Sequence, residues 1–69
     1  MENLRHADQN WQDLRGKRVE VHAHGRIVDR GLVEAATDDG SILWLAAEGI
    51  TPRRIIERAA ISAIVIIPA

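Results

Sequence analysis

The sequence predicts a mainly β fold: an N-terminal α-helix over about residues 3–14, then a five-stranded, strongly bent antiparallel barrel over about residues 17–67, together one domain of 69 residues. Three observations predict it. Apolar side chains near the N-terminus recur with a helical period, whereas beyond Gly16 they alternate with a period of two. Turn-forming residues then cut the remaining chain into short segments, the second of which carries a glycine in its interior.

Leu4, Ala7, Trp11 and Leu14 follow the i, i+3, i+7, i+10 spacing of one helical face, with Asn3 placed to cap the start and Gly16 to end it. In the first strand Val19, Val21 and Ala23 alternate with Arg18, Glu20, His22 and His24, the signature of a half-buried strand. His24-Gly25-Arg26 reads as a tight turn, and a second strand runs from about Ile27 to Thr37. Gly31 inside it marks a bulge, a bend or a close approach. Asp38-Asp39-Gly40 is a hairpin signal. Ile42 to Ala46 forms the third strand, Gly49 to Pro52 a break, Arg53 to Arg58 the fourth strand, and Ser62 to Ile67 a fifth that Pro68 stops. So short a series of antiparallel strands, with one long and bent, closes into a small barrel, and Trp11 is expected to cover an open end of it.

A chain this short buries only about 60% of its unfolded surface, and small domains commonly add disulfides, a metal or a partner subunit. The absence of cysteine removes disulfides, thiolate metal sites and cysteine chemistry. With no run of about 18 apolar residues and no apolar leader, the expectation is a cytoplasmic protein with no membrane partner. The apolar content is unusual in kind, with ten Ala and nine Ile but no Phe or Tyr. A net charge of −1 and a pI near 6.3 argue against general electrostatic binding of nucleic acid.

Four stretches carry a resemblance: Leu14 to Val21 (LRGKRVEV), Gly31 to Val33 (GLV), Asp38 to Leu45 (DDGSILWL) and Arg58 to Ile64 (RAAISAI). On these the chain resembles the small SH3-like barrels of the Sm-like family over roughly residues 4–67. It is also similar, more weakly, to the C-terminal SH3-like domain of biotin protein ligases. The Sm-like resemblance implies an oligomer, in some members a ring, in which strands four and five of adjacent subunits join edge to edge. It also implies that Asp38, Ser41 and Arg58 are positions that would contact nucleic acid, to which Arg54 is added because it shares a strand face with Arg58. Where RNA-binding members carry Asn after the Asp, this chain has Ser41 and Ile42, and their Arg-Gly turn is Arg58-Ala59 here.

Read from the residues, Arg53, Arg54 and Arg58, joined by Arg26 and Arg30, form either a phosphate-binding patch or a surface paired with Glu34, Glu48 and Glu57. His22 and His24, two apart on a strand, either supply two imidazoles to a metal, with His6, Glu20 or Asp29 as candidates for the further ligands, or are two ordinary solvent-facing histidines beside a turn. Asp38 and Asp39 are accounted for by turn chemistry, and the hydroxyls of Thr37, Ser41, Thr51 and Ser62 stand in no nucleophile motif, so no catalytic residue and no cofactor are expected. The last strand is the most informative segment. Ile64 and Ile66 fall on one face and Val65 and Ile67 on the other, so an apolar β-branched edge is left for a neighbour to cover. The expectation is a noncatalytic, self-associating module, with protein or nucleic acid as its further partner.

Overall fold

The computed structural model describes residues 10–68. Five strands follow a short 3-10 helix: β1 (Arg18–Ala23), β2 (Arg26–Ala36), β3 (Ile42–Leu45), β4 (Arg54–Glu57) and β5 (Ala63–Ile66). They form one antiparallel sheet in the order β4-β3-β2-β1-β5. A second 3-10 turn, Arg58–Ala60, links the two edge strands β4 and β5.

The expected helix over 3–14 needs correction. Residues 3–9 lie outside the described residues, and the next segment is a four-residue 3-10 helix, Trp11–Leu14, rather than the end of an α-helix. Asn10 is the reason. It is extended (φ −84°, ψ 111°), and its side-chain oxygen accepts a hydrogen bond from the Gln12 amide at 3.0 Å. It thus begins a helical turn where a continuous helix would have to pass through it. Arg15 is already non-helical, and Gly16 (φ 82°) reverses the chain into β1.

The expected closed barrel is an open sheet among the described residues, with β4 and β5 as its edges. Strand β2 joins its two halves. Residues Arg26 to Leu32 pair with β1, and Val33 to Ala36 pair with β3. The β1–β2 register slips beyond Val21, which pairs with Asp29 while His22 pairs with Ile27, leaving Val28 as the extra residue of a bulge. A second irregularity between Val33 and Ala35 marks the start of the β2–β3 pairing. Gly31 is buried in the stretch between these two irregularities, and its role is close approach. A Cβ there would lie 3.0 Å from Arg54 Nη2 and 3.7 Å from the Leu45 side chain.

Both halves of the sheet share one core. Val19 and Val21 from β1, Ile64 from β5, Val33 from β2 and Leu43 and Leu45 from β3 are fully buried together with Trp11 and Leu14. The alternation read in β1 is met, since Val19, Val21 and Ala23 face inward. Trp11 belongs to this core. Its side chain is wholly buried among the strands, where an indole supplies a large share of the apolar area in a chain without Phe or Tyr.

Candidate functional site

The β2–β3 turn is built by Asp39. Its Oδ1 accepts from the Thr37 hydroxyl (2.8 Å), the Ser41 amide (3.0 Å) and the Ser41 hydroxyl (2.7 Å). These bonds favour the ionised form, so the Ser41 and Thr37 hydroxyls hold the Asp39 carboxyl below its ordinary range. Gly40 follows with φ 72°, its amide donating to Thr37 O at 3.0 Å. Asp38 points to the first 3-10 helix, where its Oδ1 accepts from Gln12 Nε2 at 2.6 Å.

Arg58, at the end of β4, closes over this turn. Its Nη1 donates to Gly40 O at 2.9 Å, its amide donates to Ser41 O at 2.9 Å, and its guanidinium lies 4.8 Å from the centre of the Trp11 ring. Between the turn and the β4 terminus is an open, mostly apolar cleft of about 580 Å3, bordered by Asp39, Ser41, Ile42, Glu57, Arg58 and Ala59. Of the four candidate nucleic-acid positions, Asp38, Ser41, Arg54 and Arg58, Ser41 and Arg58 meet here. Asp38 engages Gln12 instead, and Arg54 points elsewhere.

Arg54 reaches under the strand crossing to β2. Nε and Nη2 donate to the two Asp29 carboxylate oxygens, both at 3.0 Å. Nη1 donates to Ala46 O (3.1 Å) and Pro52 O (3.0 Å), and Nη2 also donates to Arg30 O (2.8 Å). Those five bonds match the five N–H groups of a guanidinium. The pair is partly buried, and the Arg54 hydrogen bonds hold the Asp29 carboxyl below its ordinary range while the Arg54 pKa is raised in turn. Arg54 and Arg58 therefore each grip the carbonyl of a residue in or after β2, at separate places in the sheet.

The remaining arginines divide between partners and solvent. Arg53 Nε donates to Glu34 at 2.8 Å with its guanidinium 5.4 Å from the Trp44 ring centre. Arg18 makes two bonds to Glu48, at 2.7 and 3.3 Å. Glu57, the third glutamate expected to pair with the arginines, meets no cation among the described residues, and neither does Arg26 meet a carboxylate.

His22 lies 3.2 Å from Glu20 Oε1. His24 falls outside β1, in the turn, at φ 53°, so strand alternation does not align the two imidazoles. Among the described residues no group of three or more histidine, aspartate and glutamate side chains is placed to hold a metal. No helix among them is long and apolar enough to cross a membrane.

In β5, Ile64 is fully buried and Ile66 packs against the core, while Val65 is exposed and Ile67 half-buried. One side of the strand pairs with β1, from His22↔Ala63 to Val19↔Ile66. Its other side has no strand against it among the described residues. Asp39 and Glu57 are the cleft residues that sequence reasoning did not join. Its only local signal was the hairpin motif at one of them, because the other is brought there by the β3–β4 pairing of Ile42 with Glu57. Compared with protein-family models, curated proteins and solved structures, the chain matches none.

Proposed function

We propose that the chain is a noncatalytic assembly and binding module, a small, partly open SH3-like barrel of the Sm-like kind that self-associates through the outer edge of β5. The observation that carries this reading is β5 itself. It is an edge strand without a charged residue, with Val65 exposed on its outer face and no strand covering its outer edge among the described residues. Such an edge pairs readily with another chain unless charge, proline or a bulge interrupts it, and none stands between Ala63 and Ile67. The barrel reading is supported by the continuous strand order and by one core drawn from both halves of the sheet. A second copy pairing along β5, with β4 as the complementary edge, would also bury surface beyond the share that a chain of this length buries alone.

Light scattering at micromolar concentration tests it. The expected mass is a multiple of the 7.7 kDa chain, reduced by Val65→Lys, which puts a charge on the edge. A monomer for the unaltered chain overturns the reading.

Nucleic acid is the rival partner, favoured by the meeting of Ser41 and Arg58 at one cleft. Against it stand the two carboxylates on the same rim, which repel phosphate, and an Arg54 whose donors are all engaged within the chain. A salt-dependent mobility shift with single-stranded RNA, lost in Arg58→Ala, would favour the rival.

A further inference from the structure

Two exposed features of this molecule complement each other. The first is the β1–β2 hairpin tip. His24 and Gly25 both have positive φ (53° and 76°), which fixes a tight two-residue turn. Immediately after it come Arg26, exposed and without a carboxylate partner among the described residues, and two exposed aliphatic side chains, Ile27 at 43% and Val28 at 51%. The bulge at Val28 leaves that residue without a ladder partner on β1. The second feature is the cleft beside the β2–β3 turn. Ile42 and Ala59 give it an apolar lining, and the carboxylates of Asp39 and Glu57 stand at its border. Its one cation, Arg58, is drawn to Trp11 and to the carbonyl of Gly40.

We propose that the hairpin tip Arg26–Val28 of one copy docks in the Asp39–Glu57 cleft of another, Arg26 pairing with Glu57 and the aliphatic side chains covering Ile42 and Ala59. The inference rests on the reading of the chain as a self-associating module and adds a contact separate from the β5 edge. The occupant is a second copy because the chain itself presents the complementary ligand, a cation followed by two exposed aliphatic residues, and presents it on a rigid turn. A docked tip would remove from water the apolar surface at Ile27 and Val28 that the single chain leaves open. The carboxylate of Asp39 is held in place by Thr37 and Ser41, so the cleft keeps its negative border without rearrangement.

The test is a charge-swap cycle on the full chain: Arg26→Glu, Glu57→Arg, the double variant, and Val65→Lys as an independent lesion of the β5 edge. Circular dichroism confirms that each variant is folded, and sedimentation equilibrium gives mass and dissociation constant. Each single swap is expected to weaken association at least tenfold, and the double variant to recover most of that loss. A folded single swap that associates like the unaltered chain overturns the contact, as does a double variant no better than the singles. If Val65→Lys alone lowers the mass, the tip contact fails while the β5 assembly stands. A monomeric unaltered chain overturns both.

Discussion

The guanidinium of Arg54 packs tightly against the bare backbone of Gly31: a Cβ on Gly31 would lie 3.0 Å from Arg54 Nη2. The glycine and the arginine are therefore one device. Gly31→Ala is expected to push the guanidinium off Arg30 O and Asp29, destabilising the fold by about 1–3 kcal/mol, as overpacking does. In an Arg54→Ala background the same change should lose most of that effect. A double-mutant cycle by urea unfolding checks it, because contacting residues show coupling that distant ones do not.

The Arg54–Asp29 pair also sets a pH dependence. The bonds from Arg54 lower the Asp29 pKa in the folded chain, so the unfolded state binds more protons as pH falls and stability falls with it. The contribution is fully present above the unfolded value of about 3.9 and is lost as pH drops through the lower folded value. Asp29→Asn is expected to be less stable than the unaltered chain at pH 7, and the gap should narrow in acid. Thermal unfolding at pH 7 and at pH 3 compares the two. A gap that widens in acid would contradict the assignment.

Local patterns carried most of the fold. Val19, Val21 and Ala23 announce β1 because alternation is a property of neighbouring residues, and Asp38-Asp39-Gly40 announces the turn because its bonds span only a few residues. The spacing of Trp11 and Leu14 suggested an α-helix, but Asn10 satisfies the Gln12 amide itself and restarts the chain there. Less was legible at the site. Arg54 and Asp29 lie 25 residues apart, and nothing near either one signals the other. Arg54 and Arg58 share a strand-face spacing that suggested joint action. Yet their long side chains run to different carbonyls, one at Arg30 and one at Gly40.

His24 holds a left-handed backbone conformation that most side chains resist (φ 53°). With Gly25 also at positive φ, the turn has the geometry that favours Asn followed by Gly. His24→Asn is expected to stabilise the chain by a few tenths of a kcal/mol, up to about 1 kcal/mol, and the β-branched His24→Val to destabilise it by about 1–2 kcal/mol. Denaturant midpoints order the three chains. If Val matches His there, the tight turn is not formed in solution.

Arg58 joins the turn, the buried indole and the end of β4, so its loss should be felt at all three. Arg58→Ala removes the guanidinium at 4.8 Å from the Trp11 ring and the bond to Gly40 O, and should lower stability by about 1–3 kcal/mol. Arg58→Lys keeps a cation near the ring but not the planar group that also bonds the carbonyl, and should fall between the two. Gly40→Ala strikes the same contact from the other side, since a Cβ there would lie 2.7 Å from Arg58 Nη1 at a backbone with φ 72°. Tryptophan emission separates a local effect from a global one. Trp11 is wholly buried and Trp44 is partly exposed, so in a Trp44→Phe background a red shift on losing Arg58, at denaturant levels where the sheet is intact by circular dichroism, reports water reaching Trp11. Unchanged emission with lowered stability would place the role of Arg58 in the turn rather than over the ring.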